Sequence, residues 1–277
     1  MTAAHKQSYD VAVIGGGIAG LAVAFEAARR GMRTVVLERD RLGAGATGVA
    51  AGMLAPVAEA AFGELELLEL NLDSAALYPD WAATVSELSG VDPGYRACGT
   101  LVVARDRDQA EALERELSFR RDRGLAAERL LGSDARRREP GLAPAIRLAA
   151  DIPGDHAVDP ARLVAALGAA IEHEKGELRE GAEVAAVACE GERVCGVTLA
   201  GGASIAADAV VVAAGSWSGR VGGLGSEDRV PVRPVKGQLL RLRDPAGAGL
   251  IERVVRSEDA YLVPRGDGRY VLGATLE

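Results

Sequence analysis

The chain has 277 residues, 48% of them hydrophobic, and its 40 acidic against 32 basic residues give a net charge of −8. This composition predicts a globular protein with one large or two modest domains. The sequence has no basic block long enough to follow a nucleic-acid backbone. It also has no apolar run near the roughly 20 residues that cross a membrane. Nucleic acid and a membrane span are therefore not expected.

The cysteines Cys98, Cys189 and Cys195 match neither a metal-ligand spacing nor a disulfide framework. Cys189 and Cys195 flank a predicted hairpin turn, where a bridge is conceivable, but reduced thiols in a cytoplasmic protein are the favoured interpretation. The histidines are scattered along the chain, so we expect no metal site.

The segment 9–39 carries the most specific pattern. Gly15 allows a tight turn after an apolar strand, Gly17 lets the backbone approach a pyrophosphate, and Gly20 lets the following helix pack on the strand. Glu38 stands where a carboxylate accepts hydrogen bonds from ribose hydroxyls. A strand at 11–14 comes first and is followed by the glycines and a helix at 18–30. A second strand at 34–37 then leads to Glu38. Together they predict a dinucleotide-binding βαβ unit.

The sequence after this unit changes twice in composition and predicted structure. Residues 41–55 are small and flexible in composition, and 64–89 have the apolar spacing of a helix. From about residue 90 to 155 the pattern indicates an insertion that belongs to a second domain. Its predicted elements are one or two strands within 95–104, a charged helix at 106–124 and a further strand within 139–160.

The second half begins with a helix that Asp159 caps and Pro160 starts. Strands follow near 183–189 and 193–199, and the apolar run 209–214 predicts a buried parallel strand that returns to the nucleotide sheet. The rest alternates strands and turns.

This order predicts an α/β fold with two discontinuous domains. Residues 1–89 and 156–228 are expected to form a doubly wound, Rossmann-like nucleotide-binding domain. Residues 90–155 and 229–277 are expected to form an antiparallel α+β domain for the substrate.

Several motifs together resemble the FAD-dependent D-amino-acid oxidase family, and within it the glycine oxidases. The resemblance extends over essentially the whole chain. It rests on VIGGGIAGLAVAFEAARRG, GATGVAAGML, HAVDPARLVAAL, VVAAGSWSG, PVKGQLLRL and YLVPRGDGRYVLGAT.

The resemblance implies a noncovalent FAD, and the absence of histidine and cysteine from the loop 43–53 agrees with this. Trp217 fits a core position and a cofactor contact equally well. The implied cofactor contacts are Gly15, Gly17, Ile18, Ala19 and Gly20 at the pyrophosphate turn; Glu38 at the ribose; Arg39 and Val184 at the adenine; Ala46 and Thr47 at the phosphate and ribityl chain; Ala51, Gly52 and Met53 along the flavin ring; and Ala214 and Gly215 beneath the cofactor.

For the substrate, the resemblance implies that Tyr261 faces the flavin and holds a small amino acid, with Met53 in the pocket wall. Gln238 is a weaker candidate, and Asp259 stands where relatives can carry histidine. Arg265 is expected to pair with an acid on the sheet surface. No catalytic acid or base is assigned.

The implied reaction is oxidation of glycine or another small amine. Hydride passes from the substrate Cα to flavin N5, giving an imine that feeds the thiazole of thiamine, and O₂ takes the electrons to give H₂O₂. The alternatives are another D-amino-acid oxidase or dehydrogenase, a sarcosine oxidase, an NAD-dependent dehydrogenase, or an inactive FAD-binding chain. A homo-oligomer is left open.

The resemblance also implies an arginine for the substrate carboxylate, a glycine-rich strand and a helix, all after the YLVPR sheet and so beyond residue 277. We therefore expect the sequence to be a truncated oxidase. A carboxylate needs a bidentate partner, and no internal arginine is an evident substitute.

Overall fold

The computed structural model describes residues 8–229, 231–247 and 249–277. The strands, in chain order, are β1 (Ser8–Ile14), β2 (Thr34–Leu37), β3 (Met53–Leu54), β4 (Tyr95–Arg96), β5 (Thr100–Ala104), β6 (Glu128–Leu131), β7 (Leu148–Ile152), β8 (His156–Val158), β9 (Glu177–Arg179), β10 (Val184–Glu190), β11 (Arg193–Leu199), β12 (Ser204–Val212), β13 (Leu239–Arg243), β14 (Val254–Arg256), β15 (Tyr261–Pro264) and β16 (Arg269–Gly273). The helices are α1 (Ile18–Arg29), α2 (Ala46–Val49), α3 (Leu65–Ser89), α4 (Arg107–Asp122), α5 (Gly132–Arg138) and α6 (Pro160–His173), with a 3₁₀ turn at Gly215–Arg220.

The chain divides into two compact units, each built from separate stretches of sequence. The first unit comprises Met1–Ala50, Ala83–Pro93 and Pro160–Pro234. The second comprises Ala51–Ala82, Gly94–Asp159 and Val235–Glu277.

The first unit is a sheet in the order β10-β11-β12-β1-β2-β9. Strand β1 pairs in parallel with β2 and β12, and β2 pairs in parallel with β9. The predicted parallel return strand is confirmed as the end of β12, where Val210 lies opposite Ala12. The strand was predicted to be buried, whereas 210–212 are only half-buried and Ala209 is exposed. Val210 and Val212 pack against the core cluster and are only partly buried.

Helices α1 and α6 pack on each other within the first unit. The predicted apolar face of α1 is buried at Leu21, Phe25 and Ala28, because apolar residues three or four positions apart share one face of a helix. Gly31 follows α1 with φ of +80° and its N–H donates to Ala28 O, which satisfies a carbonyl at the helix end.

The second unit contains a sheet in the order β13-β16-β15-β14-β5-β7-β6 and a small sheet in the order β3-β8-β4. The large sheet is antiparallel, as predicted, except for the parallel pair of β14 and β5. The stretch 139–160 forms two strands, β7 and β8, where one was predicted. Both strands are short, so periodicity alone separates them poorly.

Residues 51–82 lie in the second unit, whereas their sequence pattern grouped them with the nucleotide-binding domain. The assignment of the units to cofactor and substrate stays a prediction. Within the described ranges, no helix is long and apolar enough to cross a bilayer.

Candidate functional site

A cavity of about 450 Å³ opens in the first unit where its parallel strands end. Gly15 follows β1, Glu38 follows β2 and Ala213 follows β12, and all of them line it. Ligands of open α/β sheets bind at this edge, outside the carboxyl ends of the strands. Of the residues predicted to bind the cofactor, those on the cavity wall are Gly15, Gly17, Ile18, Ala19, Glu38, Arg39, Ala46, Thr47, Val184, Ala214 and Gly215.

Two glycines make the close approaches that this wall requires. Gly15 has φ of +109°, and a Cβ there would lie 2.4 Å from Ala213 O. A Cβ on Gly20 would lie 2.0 Å from Gly15 O. Gly20 therefore permits the contact between α1 and the turn, while Gly15 forms part of the cavity surface.

The N-terminus of α1 faces the cavity through Gly17, Ile18 and Ala19. Gly17 is the N-cap, and no side chain caps it. The Ile18 N–H donates to Thr47 Oγ1 at 3.0 Å. Free N–H groups and the positive end of the helix dipole attract a phosphate, so this end of the cavity fits an anion.

Glu38 is held in place by backbone donors. Its Oε2 accepts from the Gly16 N–H at 2.7 Å, and its Oε1 accepts from the Asp40 N–H at 2.9 Å. Each carboxylate oxygen has a second lone pair. The carboxylate is thus oriented at the cavity wall and still able to accept hydrogen bonds from a ligand's hydroxyl groups.

Arg39 and Trp217 form a stacked pair on the same wall. The guanidinium carbon lies 3.9 Å from the centroid of the indole ring, within the range of a cation–π contact. Trp217 is 38% exposed and lines the cavity. This favours a position on the cavity wall over a position in the core. The wall also contains Asp40 and Arg220, which no sequence motif indicated.

These groups match the parts of an adenosine diphosphate moiety. The α1 N-terminus offers donors to phosphates, Glu38 offers acceptors to a ribose, and the glycine turn leaves room for close backbone approach. The residues therefore fit the adenosine diphosphate part of FAD. Among the described residues, no three metal-ligating side chains come together in a cation site.

The other predicted site residues lie in the second unit. Met53 and Tyr261 pack against one buried cluster that consists of Ala51, Ala157, Val254, Val263 and Val271. A Cβ on Gly273 would lie 2.4 Å from the Tyr261 hydroxyl oxygen. This glycine, which sequence reasoning passed over, leaves space for the tyrosine ring.

Tyr261 is half-buried, and burial first and the charge of Glu59 second raise its pKa above the ordinary value. Its phenol is therefore neutral near pH 7.

Of the weaker substrate candidates, Gln238 is bound through its backbone and Asp259 through its side chain. The Gln238 N–H donates to Thr275 Oγ1 at 2.9 Å. Asp259 forms an exposed ion pair with Arg105 at 2.5 Å.

The expected surface ion pair of Arg265 is wrong. Its side chain is partly buried and donates to Val158 O at 2.9 Å, and burial lowers its pKa. A backbone carbonyl thus takes the place of the expected acid as its hydrogen-bond partner.

Comparisons with known proteins show the family of this chain. The family described as FAD dependent oxidoreductase (DAO) matches residues 10–277. The glycine oxidase of Geobacillus kaustophilus (strain HTA426) is 36% identical over 272 residues, which cover 96% of this chain and 70% of that protein. The bifunctional protein ThiO/ThiG of Synechocystis sp. is 36% identical over 273 residues, which cover 97% of this chain and 39% of that protein.

A solved structure resembles this chain closely. The crystal structure of glycine oxidase from Geobacillus kaustophilus superposes with a TM-score of 0.88 and 34% identity, covering 98% of this chain and 72% of that one.

Proposed function

The chain belongs to the FAD dependent oxidoreductase family, and on that basis we propose that it oxidises glycine or another small amine or amino acid. The products would be the imine and, with O₂ as electron acceptor, H₂O₂. One observation carries the proposal: the cavity of the first unit presents N–H donors, an oriented carboxylate and a glycine turn in the arrangement that an FAD dinucleotide needs. The similarity to glycine oxidases supports the choice of substrate class.

Each part of the cavity has a proposed contact. Ile18 and Ala19 would lie over the pyrophosphate, with the N–H groups of Gly17 and Ala19 as donors, because the Ile18 N–H already donates to Thr47 Oγ1. Glu38 would accept from the ribose, and Arg39 would lie beside the adenine. When bound, FAD supplies the two-electron redox chemistry, and the protein supplies binding, orientation and electrostatics.

The remaining predicted contacts are proposed on the family resemblance. Ala46, Thr47, Val184, Ala214 and Gly215 line the cavity and would complete the contacts around the cofactor. Residues 51–53 are proposed to lie along the flavin ring.

Tyr261 and Met53 are the proposed substrate residues. Because the pKa of Tyr261 is raised, its hydroxyl stays protonated near neutral pH and can donate one hydrogen bond to a bound amino acid. Met53 offers an apolar, adaptable side chain to the pocket wall. No residue of this chain is assigned a proton transfer.

A cellular role in supplying the imine for the thiazole of thiamine is part of the proposal. The ThiO/ThiG relatives support it, and the free cysteines agree with a cytoplasmic location. Growth of a thiamine-requiring strain that lacks its own glycine oxidase, once supplied with this chain, tests that role.

Association of identical copies also belongs to the proposal. Strand β13 is at one edge of its sheet, and its Leu240 is 60% exposed. An edge strand with exposed apolar residues favours pairing with another chain. Sedimentation equilibrium of the purified chain would measure the oligomeric state.

The test of the activity is the visible spectrum of the purified chain, recorded before and after glycine is added without oxygen. Flavin absorbance that bleaches supports the proposal. Flavin absorbance that persists with glycine but bleaches with sarcosine or D-alanine favours one of the related oxidases. A colourless protein that takes up no added FAD contradicts the cofactor site itself.

A further inference from the structure

Two buried charged side chains in the second unit hold one short loop. Asp155 has 0% exposure and Arg120 has 1%. The Asp155 carboxylate accepts from the Val57 N–H at 3.1 Å and from the Ala58 N–H at 2.6 Å. Arg120 donates from Nε to Val57 O and from Nη2 to Ala58 O, both at 2.9 Å. The backbone polar groups of both loop residues are therefore bound to buried charges.

Both charges are themselves anchored by regular structure. Asp155 lies in the turn between β7 and β8, and β8 pairs with β3 so that Ala157 is opposite Met53. Arg120 lies on α4 and its Nη1 is 3.0 Å from Glu116 Oε2. The loop that follows Met53 is thus fixed from a strand turn on one side and from a helix on the other.

The same loop reaches the neighbourhood of Tyr261. Arg256 Nη1 donates to Ala58 O at 3.5 Å, and Arg256 Nε lies 3.8 Å from Glu59 Oε1. Arg256 is directly opposite Tyr261 in the pairing of β14 with β15. Directly opposed residues project to the same face of a sheet, so Arg256 links the loop to Tyr261. The charge of Glu59 contributes to the raised pKa of that tyrosine.

Stability is a weak reason to bury such a pair. Desolvation of two charges offsets most of their attraction, and an apolar pair of similar volume is often at least as stable. The charges instead define the geometry of the loop, because their four hydrogen bonds fix three consecutive peptide groups, 56–57, 57–58 and 58–59.

We propose that Asp155 and Arg120 are a positioning pair for the substrate site. They fix the loop at Val57 and Ala58, and thereby hold Glu59 and Arg256 in place beside Tyr261. This inference rests on the proposed function, in which Tyr261 holds the small amino substrate.

The experiment follows the ionisation of Tyr261 by tyrosinate absorbance in the full chain, with Tyr261→Phe subtracted to isolate its signal. Glu59→Gln removes the nearby charge and should lower the pKa of Tyr261. Asp155→Asn and Arg120→Lys leave Glu59 present but loosen its loop, so each should lower it as well. The double variant Asp155→Asn/Glu59→Gln should match Glu59→Gln alone, because both changes act through one charge.

Asp106→Ala is the matched control. Asp106 caps α4 by accepting from the Gln109 N–H, so its loss destabilises the helix that carries Arg120 without touching the loop. An equal lowering of the pKa of Tyr261 in this control would overturn the proposal, as would an unchanged pKa in Asp155→Asn. If neither Asp155→Asn nor Arg120→Lys folds, Glu116→Gln removes only the outer partner of Arg120 and should lower the pKa of Tyr261 by a smaller amount. An unchanged pKa of Tyr261 in Glu116→Gln would overturn the proposal.

Kinetics with glycine give the second readout. Asp155→Asn should raise KM about five- to tenfold with kcat changed less than about twofold, because it weakens substrate positioning rather than the redox step. A parent chain that does not oxidise glycine would defeat the proposed function, whereas the tyrosinate titration would still decide the role of the pair.

Discussion

The first unit forms its cavity from backbone groups and glycines, whereas the second unit holds its loop with buried charged side chains. Any Cβ at Gly15 or Gly20 would overlap a backbone atom, and the donors at the start of α1 are main-chain N–H groups. In the second unit, Asp155 and Arg120 are 98 and 63 residues from Val57. A site made of backbone depends on a short stretch of sequence, while one made of side chains depends on the whole unit being folded.

Arg120→Met tests the side-chain arrangement and has the largest expected effect. It leaves the buried carbonyls of Val57 and Ala58 without the donors that Arg120 supplies, which should lower the free energy of unfolding by about 2–5 kcal/mol. Urea unfolding measures it. Arg107→Met is the control, because Arg107 forms an exposed pair with Glu111 and should cost less than about 1 kcal/mol. Equal losses in the two variants would contradict the contrast between the units.

Gly20→Ala tests the backbone arrangement. Its Cβ would lie 2.0 Å from Gly15 O, so the turn must move, at a cost of about 1–3 kcal/mol. The displaced turn should also retain less FAD, measured as flavin absorbance per protein. Gly201→Ala is the control, since a Cβ there meets nothing within 4 Å. Full flavin content in Gly20→Ala would show that the cavity does not depend on this approach.

The buried carboxyl of Asp155 in the second unit should make the stability of the chain depend on pH. Burial raises the pKa of Asp155 from 3.8 to about 6, against the backbone donors and Arg120, which lower it. Between these values the folded chain keeps a proton that the unfolded chain has lost, so stability falls as the pH rises. Relative to that of Asp155→Asn, the free energy of unfolding of the parent chain should fall by about 2 kcal/mol between about pH 4 and about pH 6.5. Urea midpoints at both values measure this, and a constant difference between the two proteins would contradict it.

Arg39→Leu has the smallest expected effect. It removes the guanidinium that stacks on Trp217 and that is proposed to lie beside the adenine, and a lost stacking contact with the adenine of about 0.5–1 kcal/mol should weaken FAD binding by about two- to fivefold. The matched control is Arg123→Leu, which removes a cation 3.9 Å from the Phe119 centroid in the second unit. Quenching of tryptophan fluorescence by added FAD measures both affinities. A similar loss in both variants would argue against a local role for Arg39 in the cavity.

Local sequence predicted the elements that neighbouring residues determine. The strand, glycine turn, helix and acid of 9–39 were expected, and the structure brings Gly15, Gly17 and Glu38 to one cavity. Turn chemistry and helical periodicity need only residues a few positions apart. The same holds for α6, which begins at the predicted Pro160.

Longer-range relations could not be predicted in this way. Nothing beside Arg120 or Asp155 in sequence distinguishes them from surface charges, and the partner of Arg265 was predicted wrongly for the same reason. Whether a charge is buried depends on which distant strands and helices surround it.

The sequence by itself determined the βαβ unit, the family and the glycines that the cavity requires, because each depends on contiguous residues. Only the tertiary structure decided that Asp155 and Arg120 meet at one loop, that Arg256 lies opposite Tyr261, and that residues 51–82 fold with the second unit. These outcomes depend on strand register and burial across separations of tens of residues, which a local pattern does not encode.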